Sequence, residues 1–288
     1  MNLKEGISAI VHTYNEETNI RNCLESVKWV DEIVVIDMYS RDKTVEIAKE
    51  YTNKIYLFEK KGYADPARQF GVDQASYKWI LVIDADEMIP KKLSQRLRKI
   101  AENDEADVVY LTFVNYRFGR EIRGGGWGIG QIYLPRFFKK GFVRFGAQIH
   151  NMIGWIDIKA RKLTLTGVDE AIIHFNCVDV DHLLSKLLRD TTVEALNMFD
   201  GVKSPLSVEK LLWKMFGEVI ERLIFLEGYK DGIIGFFHIF YMVFYHLVSF
   251  LKYQFMLEYR DSNVERVVKN IYKEIANNVL SEYQISRK

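Results

Sequence analysis

The stretch Trp79-Ile80-Leu81-Val82-Ile83-Asp84-Ala85-Asp86-Glu87 decides how the chain is read. Five apolar residues, four of them aliphatic, run directly into three acids within four positions. A short apolar run with so abrupt an end reads as a strand buried in a parallel sheet. Open α/β sheets place ligands beyond the carboxyl ends of their strands. Asp84 and Asp86 stand at such an end, where neighbouring carboxylates repel each other and lose water. A bound divalent cation relieves both, and carboxylate oxygens suit Mn2+ or Mg2+. The alternative is that Asp86 or Glu87 merely enters the next helix, whose first turn Pro90 fits.

The chain before this stretch repeats one pattern. Ile7–Val11, Ile33–Ile36 and Ile55–Phe58 read as strands. Each is followed by a polar turn and then by helical spacing: Ile20, Cys23, Leu24 and Val27 first, then Val45, Ile47 and Ala48, then Ala67, Arg68 and Phe70. Asp42 suits an N-cap, and Asp65-Pro66 suits an N-cap followed by proline at the first helical position. This β-α-β-α-β-α-β order predicts a Rossmann-like, mostly parallel sheet flanked by helices. Asp37 at a strand end either accepts hydrogen bonds from a ribose or base, or caps the following turn. Arg68 near a helix start either reaches a diphosphate or is a solvated helix residue. Neither a Gly-x-Gly-x-x-Gly nor a glycine-rich phosphate loop with lysine is present, which argues against a dinucleotide enzyme and a P-loop ATPase.

Composition agrees with a large folded enzyme. The 288 residues suit one large domain, or one with an appendage, and the 48% apolar share supplies a core. A net charge of +1 gives no reason to expect nucleic acid. Two cysteines, Cys23 and Cys177, point to a reducing compartment rather than a disulfide framework. The opening residues lead into a strand and lack the pattern of a signal peptide.

Taken in order, Thr13-Tyr14-Asn15-Glu16-Glu17, Asp37, Ser40-x-Asp42-x-Thr44, Ala67-Arg68 and Asp84-Ala85-Asp86-Glu87 resemble family-2 glycosyltransferases of the GT-A fold. The closest resemblance is to the branch with the lipopolysaccharide-core glucosyltransferases. It is dense over residues 5 to 100 and continues more weakly to about 200. The resemblance implies that Tyr14 and Asp37 hold the nucleoside and Arg68 the diphosphate side, with Thr13, Asn15 and Glu16 also binding the nucleotide. It further implies that Asp84 contacts ribose or sugar and that Asp86 binds the metal.

Residues 91 to 104 read as a helix and Val108–Val114 as a strand. The next segment, Arg123-Gly124-Gly125-Gly126-Trp127-Gly128-Ile129-Gly130, has five glycines in seven positions and is expected to be mobile. Trp127 needs a partner: a sugar face, an acceptor lipid, or simple anchoring of the loop. The same branch has a Gly-Gly-Trp here, followed by an arginine in an apolar strand, and Arg136 resembles that arginine. Arg123, Trp127 and Arg136 are therefore expected on the acceptor side.

An inverting transferase needs a base for the acceptor hydroxyl. Related sequences carry an acid after the histidine at position 150, whereas this chain has Asn151, and an amide is no base. His150 is the preferred candidate, with Asp157, Asp169 and Glu170 as the others; His150 equally suits a packed histidine. His174, ending the apolar run Ile172-Ile173-His174-Phe175, is either a metal ligand, by resemblance, or a buried structural histidine.

Residues 179 to 199 and 206 to 226 read as amphipathic helices. Residues 233 to 251 carry no formal charge and are long enough for a membrane span. Their histidines, tyrosines and Ser249 suit instead an interfacial helix or a packed soluble one. A last amphipathic helix closes the chain from Asn263. The expected organisation is a transferase domain over 1–200 and a helical, aromatic-rich region over 201–288. The expected function is metal-dependent, inverting transfer of a sugar from a UDP-sugar to a lipid-linked saccharide or envelope glycan, on the inner face of the cell membrane. A polyprenyl-phosphate sugar synthase and an inactive nucleotide-sugar-binding protein are the alternatives.

Overall fold

The computed structural model describes residues 3–59, 65–146 and 153–285. The first half alternates as expected: β1 (Lys4–Thr13), α1 (Ile20–Ser26), β2 (Glu32–Asp37), α2 (Thr44–Ala48), β3 (Ile55–Leu57), α3 (Asp65–Gln74) and β4 (Tyr77–Asp84). A short strand β5 (Glu87–Met88) precedes α4 (Lys91–Glu102). Asp86 and Glu87 therefore do not open the helix; Pro90 caps it in an extended conformation. Beyond it come β6 (Val108–Leu111), β7 (Phe113–Arg117), β8 (Arg120–Glu121), β9 (Leu134–Lys139), β10 (Val143–Phe145), β11 (Ile153–Ile156), β12 (Lys162–Thr164) and β13 (Ile172–Cys177). Four long helices complete the chain: α5 (Val180–Phe199), α6 (Val208–Ile220), α7 (Ile233–Tyr259) and α8 (Val264–Ile285).

The main sheet has the order β12-β6-β9-β4-β1-β2-β3. Every neighbouring pair is parallel except those made by β9, which runs antiparallel between β4 and β6. Burial of both faces explains the unbroken apolar run in β4. Trp79, Leu81 and Ile83 enter one core with α1 and α4, while Ile80 and Val82 enter the other with α3. Trp79 stacks on Phe137 of β9 at 4.6 Å between centroids.

The run expected as one strand, Val108–Val114, is divided at the buried Thr112. Its first part joins the main sheet; its second turns into a smaller sheet of order β5-β13-β7-β8. Apolar periodicity is the same on both sides of the break, so only the change of partner marks it. The second sheet runs beside the acidic end of β4, because β13 pairs with β5 through His174 and Glu87.

Helix α3 lies unusually close to the sheet at Gly71. A Cβ there would stand 2.4 Å from Ile10 Cγ2 and 2.9 Å from Ile36 Cγ1. Gly71→Ala is expected to lower stability by about 1–3 kcal/mol through overpacking. Urea unfolding checks it; an unchanged midpoint would show that the helix can shift freely.

Candidate active site

The carboxyl ends of β1, β2 and β4 stand in register, with Thr13 opposite Asp37 and His12 opposite Asp84. The two acids thus flank the end of the central strand. Asp37 is buried, and its Oδ2 accepts the Ser40 N–H at 3.0 Å. Among the described residues its Oδ1 has no hydrogen-bond partner, and Asp37 caps its turn from behind the cavity wall without lining the cavity itself. The turns after β1 and β2 are stitched together. Asn15 N–H donates to Ser40 Oγ, Glu16 N–H to Thr44 Oγ1, and Arg41 N–H to Asn15 Oδ1, each at 2.8 Å. Asp42 accepts the Thr44 and Glu17 N–H groups. Ser40, Asp42 and Thr44 therefore shape the turn that carries Tyr14, and Asn15 holds that turn with its own side chain.

Under the end of β4 lies a cluster of opposed charges. Arg68 Nη2 donates to both oxygens of Asp84, at 3.1 and 2.9 Å. Arg136 Nη2 donates to Asp84 Oδ2 at 3.2 Å and to Glu87 Oε1 at 2.9 Å. Glu87 Oε2 also accepts the Asp84 N–H at 2.8 Å. Loss of water alone would raise the Asp84 pKa, but Arg68 and Arg136 outweigh it and hold the carboxyl well below its usual range. Glu87, deeper, is raised by burial against the pull of Arg136. Arg136 is buried beneath the site in this pairing, not beside an acceptor as expected. Its strand lies against β4, a neighbour that linear order does not reveal. His12 is buried there too, and burial followed by Arg68 lowers it to about 4, so it is neutral near pH 7.

Asp86 faces the other way. His174 Nε2 lies 3.4 Å from Asp86 Oδ2, and Lys186 Nζ lies 4.0 Å away. His174 Nδ1 lies 2.8 Å from Asn115 Oδ1, and Asn115 Nδ2 donates to the Trp127 carbonyl at 2.7 Å. That amide orientation makes Nδ1 a donor; burial opposes charge on His174, but the Asp86 carboxylate raises its pKa and favours a proton on Nε2, whose loss would free the lone pair for a cation. A histidine fixed from behind in this way suits a metal ligand. Loss of water would raise Asp86, but His174 and then Lys186 bring it below its usual value. Among the described residues no cluster of three or more His, Cys, Asp or Glu side chains could hold a metal. Asp86 and His174 fit an Mg2+-like ion that takes its remaining ligands from phosphate and water.

These groups open on a cavity of about 950 Å³. Thr13, Tyr14, Asn15, Glu16, Arg68, Asp84, Asp86, Trp127 and His174 line it. Glu16, crowded by burial and by Asp86, is raised to about 7. The opposite wall comes from residues that the sequence did not mark: His182, Lys186, Arg189 and Asp190 of α5, Arg117 of β7, Arg222, and Tyr241 and Tyr245 of α7. Only Asn115, a polar residue at the end of an apolar strand, left a sequence signal. Arg123 lies apart, exposed in a groove with Arg120, Glu121 and Lys230. Asp157, Asp169 and Glu170 do not line the cavity; Lys92 pairs with Asp169 and Arg96 approaches Glu170. His150 lies outside the described residues.

The glycine loop is tied down rather than mobile. Arg123 and Gly124 N–H donate to Asp231, Gly125 N–H donates to Leu226 O, and Gly126 and Gly128 N–H donate to Gln131. Its glycines answer to crowding: a Cβ at Gly124 would meet Glu227 O at 2.3 Å, and one at Gly128 would meet Arg123 O at 2.2 Å. Trp127 is packed against protein, with the guanidinium carbons of Arg117 and Arg222 at 4.4 and 4.6 Å from its ring centroid.

A sequence model of glycosyl transferase family 2 matches residues 8–159. The chain belongs to that family. It is a glycosyltransferase. The lipopolysaccharide core biosynthesis glycosyltransferase LpsC of Rhizobium meliloti is 34% identical over 214 residues, covering 69% of this chain and 74% of LpsC. An uncharacterized glycosyltransferase of Rickettsia bellii is 27% identical over 248 residues, covering 81% of each. Among solved structures, S. aureus TarS 1-349 in complex with UDP aligns with TM-score 0.46 and 16% identity, covering 86% of this chain and 91% of that one.

The charge cluster generates a stability prediction. Arg136→Met leaves Glu87 buried without its counter-charge and is expected to cost about 3–5 kcal/mol. Glu87→Gln, which removes the charge and keeps the shape, costs less. Equal losses in urea melts would show that the pairing contributes only packing.

Proposed function

We propose that the protein is a metal-dependent, inverting glycosyltransferase that takes its sugar from a UDP-sugar and delivers it to a lipid-linked saccharide or envelope glycan. The observation that carries this is the Asp86–His174 pair at the mouth of the cavity, beside Asp84. Asp86 and His174 would hold a divalent cation there, which would supply charge neutralisation for the departing diphosphate. The nucleoside lies against Tyr14 and the turn after β1. Asp84, fixed by Arg68 and Arg136, faces the sugar. Asp190, on the wall opposite the strand ends, is the described carboxylate best situated to take the proton of an acceptor hydroxyl.

Purified protein should cleave or transfer from a UDP-sugar with Mn2+. Asp86→Ala should lower that rate about 100-fold or more, as loss of one transition-state stabilising group does elsewhere. Equal rates for the two proteins would end the metal assignment.

The membrane part of the reading rests on α7. This helix, Ile233–Tyr259, is long and apolar enough to cross a membrane by length and composition. His238, Tyr245 and Ser249, which make it a poor span, are buried against the protein. Phe236, Phe240, Phe244, Leu247, Leu251 and Phe255 are exposed and follow helical spacing along one face. The adjoining α6 adds exposed Leu212, Trp213 and Phe216 next to exposed Lys210 and Lys214. Monomers seldom expose so continuous an apolar surface, and an aromatic stripe with nearby lysines suits the headgroup region of a bilayer. The protein should therefore sediment with anionic phospholipid vesicles. Phe240→Glu combined with Phe244→Glu should abolish sedimentation and leave UDP-sugar cleavage in solution unchanged. Vesicle binding that survives the double substitution would assign the face to protein packing.

A further inference from the structure

Arg117 takes no part in the charge cluster under β4. It ends β7 two residues beyond Asn115, on the same face of the strand. It is 4% exposed and borders the cavity. Among the described residues its Nε and Nη1 have no hydrogen-bond partner and no carboxylate pairs with it. The charge that acts on it is another cation, Arg222, which lies over the same indole ring. Arg222 is held by Glu218 Oε2 and Gly125 O, both at 2.6 Å. His238 lies 5.2 Å from Trp127, and burial followed by Arg117 and Arg222 keeps it neutral.

Burying a guanidinium without a counter-charge is strongly unfavourable, and stacking on one tryptophan offsets only part of that. Two guanidiniums on one ring also repel. The same cavity receives Lys186 and Arg189 from α5; Lys186 reaches toward Asp86 and donates to the Asn176 carbonyl at 2.6 Å, while Arg189 Nε engages Asp190 at 2.8 Å. The remaining acids, Glu16, Asp84 and Asp86, belong to the strand ends. The wall that faces the strand ends is therefore more cationic than acidic, and its most buried cation, Arg117, has no carboxylate beside it among the described residues.

We propose that Arg117, with Arg222, forms a phosphate-binding subsite for the acceptor, so that the acceptor carries a phosphate group. This rests on the glycosyl-transfer reading above. Guanidinium forks match phosphate oxygens, and a dry setting strengthens the contact. The phosphate belongs either to a prenyl phosphate lipid or to a phosphorylated sugar.

Calorimetry on the full chain separates these outcomes. UDP with Mn2+ is titrated first, followed by a C10 prenyl phosphate, glucose 6-phosphate or the uncharged C10 prenyl alcohol. At least one phosphate probe should bind and the alcohol should not; which probe binds identifies the source. Arg117→Met should weaken that probe tenfold or more and leave UDP affinity within twofold. Arg117→Lys, which keeps the charge, should lose less than Arg117→Met. Without any anion, Arg117→Met should melt higher than the wild type, because an unpaired buried charge is gone; phosphate should raise the wild-type melting temperature alone. The proposal is overturned if neither phosphate probe binds, or if UDP affinity falls with Arg117→Met as much as phosphate affinity does. It is also overturned if Arg117→Lys loses as much as Met, or if Arg117→Met melts lower or fails to fold, which would make Arg117 a support for the loop. Failure of UDP to bind the wild type would instead remove the transfer reading, and Arg117-dependent phosphate binding would survive it.

Discussion

Four charged side chains at the end of β4 set the geometry on which the rest depends. Asp84 and Glu87 face Arg68 from α3 and Arg136 from β9, largely out of contact with water. In such surroundings opposite charges attract strongly and an unmatched one is costly. Sliding β4 by one residue would turn the acids toward the aliphatic core and leave both arginines without partners. The cluster thereby fixes the register of the antiparallel strand against the parallel ones. It also holds the last residue of β4 so firmly that Asp86, two residues on, projects into the cavity.

The second half of the chain completes what the first half begins. The change of sheet at Thr112 carries Asn115 and Arg117 away from the main core and toward the acidic strand end. β13 brings His174 to Asp86 from the other side. The glycine loop is bonded to Leu226 and Asp231, between α6 and α7, so the C-terminal helices support the site directly. An apolar outer face and a cationic inner wall are thus two sides of the same helical layer.

The sequence by itself determined the sheet and the residues at its carboxyl edge. Period-two burial, abrupt acidic strand ends and helical spacing are local signals, and each lies within a few residues of the side chain it marks. Asp37, Arg68, Asp84 and Asp86 could be picked out for that reason, whereas Thr13 to Glu16 and His174 were marked by the family resemblance. Even there, the fit between neighbouring turns was invisible: Asn15 supports a turn with its own side chain, and Asp37 caps its turn from a buried position.

Tertiary structure alone decided the opposite wall. Lys186, Arg189 and Asp190 look like ordinary solvated positions of an amphipathic helix until α5 is set across the strand ends. Arg117 reads as a polar residue closing a strand, and only the absence of a nearby carboxylate among the described residues sets it apart. The glycine loop suggested motion because glycine is flexible in isolation, whereas here its lack of a side chain admits the backbone of Glu227. Contacts between residues a hundred positions apart leave no local periodicity, so the direction in which each such side chain points is settled only when the helices pack.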